Sequence, residues 1–426
     1  MQSLKRKVGV LGLSANIINT IVGAGIFALP AIVAANLGSA SIYAYLFCGI
    51  LITLVMLCFA EVGSKVTSSG GVYSYIKSSF GPYFGFLTAI LFVISAISAD
   101  AAVTNAITDL LSSIFPFFKS KTVKIIFSFL VFFGLGYLNV IGIKESIRMI
   151  KIITIIKLIP LLLLVFFSWQ DVTVQNLAIN NIPDFTQIGK TSLLLFFAFQ
   201  GAESALSISG EIINPRKNIP KAIFISITGV LILYILIQTV SQGVLGDTLP
   251  NFSKNPLSEV ANHLVGPIGF TVLTIGAGVS MFGYLSSESL GIPRVLYKAA
   301  KDNTLPIKWL AKIHPKFETP YTAVIVYSVV AFVFSLLGGF QELAIIASAT
   351  ILLVYLGVSL SVIKLRKNKT FDKNDFKLPG GATIPILSAI IIITLLFSLT
   401  KAEVIGIVAA TIILTFLYLL KKKKYH

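Results

Sequence analysis

Charge is what this sequence lacks most. Only 12% of its 426 residues are Asp, Glu, Lys or Arg, against about 25% in a soluble domain. That is too little to give a chain of this length a water-facing surface, so a soluble enzyme and a disordered protein are excluded. Cysteine is nearly absent. Cys48 and Cys58 lie ten positions apart in one apolar run, too far along a helix to bond to each other. A disulfide-stapled secreted domain is excluded as well. His263, His314 and His426 are scattered and form no metal or catalytic constellation. There is no G-x-x-x-x-G-K-[ST] phosphate loop and no H-E-x-x-H motif. No cofactor is expected.

What is present is apolar sequence, 56% hydrophobic residues with a mean hydropathy of +0.91. Continuous apolar runs of about 20 residues rule out a membrane β-barrel, whose strands alternate. Windows of about 19 residues place twelve spans, at 9–35, 42–62, 84–114, 123–142, 149–168, 189–212, 221–245, 266–291, 321–338, 342–364, 382–400 and 402–420. The expected fold class is an all-α polytopic membrane protein with 12 transmembrane helices. The third run needs a marked tilt. Lys5, Arg6 and Lys7 before the first run are arranged like a signal peptide. That run passes Pro30 without a small-x-small cleavage site, so it is read as a retained span.

The net charge of +17 would suggest nucleic acid in a soluble protein. Here it reflects the Lys and Arg that cytoplasmic loops collect, and no nucleic-acid partner is expected. With both termini in the cytoplasm, 27 basic residues fall on that side. Lys119, Lys121, Lys124, Lys190, Lys254 and Lys401 fall outside, and Lys157 lies within the fifth span. The glycosylation-like patterns at Asn251 and Asn368 are read as chance matches. The expected location is the cytoplasmic membrane.

Two runs carry helix-weakening glycines: Gly23 and Gly25 around Ala24 in the first, and Gly201 before Ala202, Glu203 and Ser204 in the sixth. Either alone is as well explained by close helix packing. Their positions say more. The first run opens one block of five spans and the sixth opens the next, and matched interruptions are the signature of an inverted-repeat transporter. The expectation is a five-plus-five inverted-repeat (LeuT-like) core with broken helices 1 and 6. Repeat one covers about 9–168 and repeat two about 189–365, within a transport core of residues 1–365. Two extra helices and a basic tail make up 366–426. A half-helix N-terminus suits a carboxylate and the opposing free carbonyls suit an ammonium. An unwound segment can therefore bind both ends of an amino acid without a charged side chain.

Four motifs stand in order along the chain: TIVGAGIFALP at 20–30; FAEVGS at 59–64 with GGVYSY at 70–75; FFAFQGAE at 196–203 running to GEIINPRKNIPKA at 210–222; and PRVLYKAAKD at 293–302 with Leu305-Pro306 and Thr319-Pro320. Together they resemble the amino acid–polyamine–organocation (APC) superfamily of transporters over residues 14 to about 365. The resemblance implies that Ala24 and Gly25 donate N–H groups to a substrate carboxylate. It implies that carbonyls of Ile21, Phe197 and Gln200, at the break marked by Gly201, take the ammonium. Many relatives have Ser at the Ala24 position, so one hydroxyl contact is missing. Arginine-exchanging relatives carry Trp near Phe197, whose cation stacking is lost here.

Ionisable residues inside apolar runs complete the reading. Burying the Lys157 ammonium costs several kcal/mol unless it is paired. It is either a fixed ion pair between helices or, as the resemblance implies, a stand-in for the sodium of sodium-coupled relatives. Glu203 is either a carboxylate bonded to unwound backbone or, by resemblance, a gate or pH-responsive residue. Asp100 and Glu288 match pocket positions of the family, with interhelix hydrogen bonds as the alternative. Two acids facing the pocket would favour a cationic side chain. Tyr355 matches a family tyrosine that helps close the outer path; simple packing is the alternative. Asp109 is read as solvated at the rim, and Glu61 and Glu211 as paired with Arg or Lys at cytoplasmic helix ends.

These readings converge on a secondary-active amino acid permease working by alternating access, sodium-independent, with a lean to cationic amino acids. Its expected partners are the amino acid (or a diamine), protons and the lipid bilayer. An amino acid/polyamine exchanger is the alternative within the class. An intramembrane enzyme, which would need a nucleophile–base pair or metal ligands, and a non-transporting receptor are the alternatives outside it. Labelling of a tag at His426 is expected to fail in intact cells and succeed in permeabilised ones; labelling from outside would overturn the topology and the repeat together.

Overall fold

The computed structural model describes residues 8–66, 71–142, 147–179, 182–206, 212–305, 307–367, 376–378 and 380–423. Lys5 to Lys7, Gly70, Lys144, Gly210, Glu211, Pro306, Asn368 and His426 lie outside the described residues, as does the side chain of Arg148. Helix is the regular structure throughout the described residues, apart from a parallel bridge between Val8 and Ile212. There Ile213 N donates to Val8 O at 2.9 Å, tying the chain before the first helix to the chain before a later one.

The first apolar run is divided into α1 (Val10–Ile21) and α2 (Ala24–Leu37). Next come α3 (Ser41–Lys65), the short α4 (Gly71–Phe80), α5 (Pro82–Leu111), α6 (Lys121–Val140) and α7 (Ile147–Ser168). The sixth run is also divided: α8 (Phe185–Leu195), a 3-10 turn (Phe196–Phe199) and the single turn α9 (Ala202–Ala205). Then follow α10 (Pro215–Leu245), α11 (Pro256–Val265), α12 (Pro267–Lys301), α13 (Tyr321–Leu337), α14 (Phe340–Lys367), α15 (Thr383–Leu396) and α16 (Lys401–Lys423). Proline opens α5, α10, α11 and α12, where its missing N–H costs nothing and its fixed φ suits a helix start.

Among the described residues, eight helices are long and apolar enough to cross a membrane. Three shorter apolar helices are α1, α13 and α15. The difference from the twelve runs has local causes. Breaks divide the first and sixth runs, and α15 ends at Leu396, well short of the run's limit at 400. The eighth run, expected to stop at 291, continues through Pro293 to Lys301.

α5 packs on α14 and α12, α3 on α10, and α1 on α10 and α7, which places the two breaks in the middle of the bundle. The periphery is apolar and unpacked. Ile155, Ile159, Leu162 and Phe166 of α7 and Ile405, Ile412 and Phe416 of α16 are exposed, as lipid contact demands. One polar fastening closes an end of the bundle. Arg366 at the end of α14 pairs with fully buried Glu61 of α3 through Nε at 2.5 Å and through its second nitrogen. Glu61 Oε2 also accepts Leu378 N at 2.8 Å, and Arg366 donates to the carbonyls of Leu378 and Gly381. Asp109, expected to be solvated, pairs with Lys124 at 2.7 Å.

Candidate substrate site

The helical pattern of α1 ends where Val22 turns to ψ 84° and Gly23 to φ −125°, ψ −142°. A helix end frees its last carbonyls, and in a bilayer interior other protein groups must satisfy them. Most are accounted for. Lys157 of α7 donates to Asn19 O at 3.0 Å and to Val22 O at 2.9 Å. Ser280 of α12 also donates to Val22 O, at 3.2 Å. Ile21 O accepts Gly23 N at 2.9 Å and the Tyr234 hydroxyl at 3.1 Å. Both its lone pairs are engaged, so an ammonium at Ile21 would share that oxygen with Tyr234. On the other side of the break, the first N–H groups of α2, those of Ala24 and Gly25, have no intrahelical acceptor. Gly23 supplies no capping side chain.

The second break lies directly against the first. After the 3-10 turn, Gln200 is extended and Gly201 adopts φ 113°. Gly201 N donates to both carboxylate oxygens of Glu203 at 3.1 Å. Glu203 therefore caps the restarted helix from within. Glycine is required here twice over. A Cβ on Gly201 would sit 2.4 Å from Thr20 O, and one on Gly25 would sit 2.5 Å from the Ala198 Cα. Each break thus carries the glycine that lets the other's backbone approach. Phe197 stacks edge-on with Phe340 at 5.5 Å, and Gln200 donates to Ser348 at 2.8 Å.

Acids gather around this junction. Asp100, Glu203 and Glu288 are all buried, and Glu288 lies within electrostatic reach of both others. Each carboxyl accepts a hydroxyl: Asp100 from Tyr327 at 2.7 Å, Glu203 from Tyr355 at 2.5 Å, Glu288 from Ser204 at 3.1 Å. Asp100 Oδ1 is buried without a hydrogen-bond partner among the described residues. Glu288, which hydropathy alone would put near a helix end, stands well inside α12 because that helix runs on past it. Tyr355 packs edge-on against Phe59 at 5.4 Å and Phe196 at 6.0 Å, on the half of α3 that leads to Glu61.

Reading the sequence alone missed Tyr234, Ser280, Tyr284 and Tyr327. Part of that signal was available. Ser280, Tyr284 and Glu288 are four residues apart and so share one face of α12, and Tyr284 lies against Gly23. Tyr234 and Tyr327 gave none, because a phenol in an apolar run has no meaning until its partner on another helix is known.

A family model described as "Amino acid permease" matches residues 8–420. The serine/threonine exchanger SteT of Bacillus subtilis (strain 168) is 29% identical over 391 residues, covering 90% of this chain and 89% of that protein. The arginine/ornithine antiporter of Pseudomonas aeruginosa is 31% identical over 323 residues, covering 72% and 66%. The b(0,+)-type amino acid transporter 1 of Mus musculus is 26% identical, covering 95% and 84%. Gly201→Ala is expected to cost roughly 1–3 kcal/mol from the positive φ alone, with more from the clash at Thr20. Thermal unfolding in detergent reads the loss; an unchanged midpoint would mean that the breaks do not interlock as described.

Proposed function

This chain belongs to the amino acid permease family, and on that premise we propose that it is a secondary-active carrier moving amino acids across the cell membrane by alternating access about the interlocked breaks. The family and these relatives are transporters rather than enzymes. The observation that carries the reading is the reciprocal approach of the two breaks, Gly25 on Ala198 and Gly201 on Thr20. It leaves helix-start N–H groups and helix-end carbonyls side by side at mid-bundle. The substrate carboxylate takes the N–H groups of Ala24 and Gly25. The ammonium takes the carbonyls of Phe197 and Gln200, sharing Ile21 O with Tyr234. Twelve crossings, a five-plus-five repeat and cytoplasmic termini belong to this proposal. So does exchange as the working mode, supported by the exchanger and antiporter among the relatives. Reconstituted counterflow with the twenty amino acids and diamines tests it.

The side-chain end of the substrate faces Asp100 and Glu288 in this reading, which supports a cationic amino acid; the arginine/ornithine antiporter points the same way. Lysine, ornithine, arginine or a diamine should outcompete leucine and alanine. Asp100→Asn should weaken cationic ligands by about 1.5–3 kcal/mol, the scale of a charge-assisted hydrogen bond. Competition dominated by small neutral amino acids would overturn the acidic pocket and leave the carrier intact.

Lys157 serves as the built-in cation. Its ammonium already sits on the carbonyls of Asn19 and Val22, the kind of oxygens that a sodium ion would use. Two unit charges about 4 Å apart repel by about 4 kcal/mol at an effective dielectric of 20, so the ammonium and sodium exclude each other. Uptake should therefore be sodium-independent, and Lys157→Ala should slow turnover more than it weakens binding. A steep sodium requirement, or a mutant with wild-type turnover, would sink this assignment.

A further inference from the structure

Tyr234, Tyr284, Tyr327 and Tyr355 surround the junction of the breaks, and three of them are engaged. Tyr234 donates to Ile21 O at 3.1 Å, Tyr327 to Asp100 at 2.7 Å and Tyr355 to Glu203 at 2.5 Å. Each of these three is at most 1% exposed. Tyr284 differs on both counts. Its hydroxyl enters no hydrogen bond among the described residues, and the residue is 9% exposed. A phenol inside a protein normally finds a partner. One that keeps accessible surface at mid-bundle instead borders an internal space.

Its own helix fixes its place. Ser280, Tyr284 and Glu288 share one face of α12. One turn before Tyr284, Ser280 donates to Val22 O at 3.2 Å; one turn after, Glu288 accepts from Ser204 at 3.1 Å. Tyr284 therefore stands between the end of α1 and the start of α9. Its ring lies on the unwound peptide itself. A Cβ on Gly23 would be 3.4 Å from Tyr284 Cγ and Cδ2 and 3.7 Å from its Cβ. Gly23 immediately precedes Ala24 and Gly25, whose N–H groups are assigned to the substrate carboxylate. The phenol also lies within electrostatic reach of Glu288, Asp100 and Glu203. One side chain thus adjoins both the carboxylate anchor and the acids.

We propose that Tyr284 touches the transported amino acid and sets its preference for a side chain that carries a cation on an alkyl stem. The inference rests on the carrier reading and names how that site chooses its substrate. The acids supply charge, which attracts any cation. An aromatic face adds what they lack. It covers methylene groups by apolar contact, and it attracts an organic cation through the ring quadrupole, most strongly where water is excluded. The tryptophan that stacks on the cation in arginine-exchanging relatives is missing near Phe197, and Tyr284 supplies an aromatic face from a different helix. Its hydroxyl, free of protein partners among the described residues, is both donor and acceptor.

The test is counterflow of labelled lysine and, in parallel, labelled leucine in proteoliposomes holding the full chain. Unlabelled lysine, ornithine, leucine and alanine compete, for wild type, Tyr284→Leu, Tyr284→Phe and Asp100→Asn. The readout is the ratio of the half-inhibitory concentrations of leucine and lysine. A loss of stability or of active carrier lowers every flux and leaves this ratio alone. Tyr284→Leu should shrink the lysine preference about fivefold to thirtyfold, the range of a cation–ring contact. Tyr284→Phe keeps the ring and should keep most of the preference. Should Tyr284→Leu fail to fold, Tyr284→Met provides the same comparison. An unchanged ratio in Tyr284→Leu, with a reduced one in Asp100→Asn, would overturn the role of Tyr284 and leave the acidic pocket standing. Equal losses in Tyr284→Leu and Tyr284→Phe would overturn stacking by the ring. A wild type that prefers leucine and alanine would overturn the acidic pocket and Tyr284 together. No counterflow with any of the four would overturn the carrier reading itself, and this assignment with it.

Discussion

Backbone polarity inside a bilayer governs this structure. A continuous helix satisfies its own N–H and C=O groups; a broken one in lipid does not. Breaking two helices at mid-bundle therefore obliges the rest of the fold to supply partners. The Lys157 ammonium, the Ser280 and Tyr234 hydroxyls and the Glu203 carboxylate do so. They come from four different helices. The arrangement of α7, α9, α10 and α12 around α1 can be understood as the consequence of one local interruption, and the glycines at 25 and 201 as what lets the two interruptions touch.

Charge follows the same logic at a second level. The three buried carboxyls near the breaks, Asp100, Glu203 and Glu288, would be prohibitive in hydrocarbon without donors, and each accepts from a serine or a tyrosine of a neighbouring helix. α12 is the organising element. One stripe of it reaches Val22 through Ser280, lies on Gly23 with Tyr284 and meets Ser204 through Glu288. A single helix face therefore touches both breaks.

Much of this was legible in the sequence, because its signals are local. Apolar run length marks a span, and glycine inside such a run marks a weak point. The burial of Lys157 was legible from its depth in the fifth run, while its place against the break was implied only by the family resemblance. What was not legible depends on contacts between distant segments. Run length gave the eighth helix an end at 291, since Arg294, Lys298 and Lys301 lower hydropathy. Lys and Arg are nevertheless good helix formers, and Lys298 is held by Asp302 at 2.8 Å, so the helix continues. The Tyr327–Asp100 bond joins residues 227 positions apart. No spacing rule spans such a separation.

The Glu61–Arg366 pair gathers three stretches of chain at one point: the end of α3, the end of α14 and the segment from Leu378 to Gly381 that leads into α15. Mechanically it is a pinned joint. A pin permits swivelling about its axis and forbids separation, so α3, α14 and α15 can tilt only as linked struts at that end. α1, α9 and α12 lie outside this joint. A single carboxylate and a single guanidinium thereby hold three helix ends at one point.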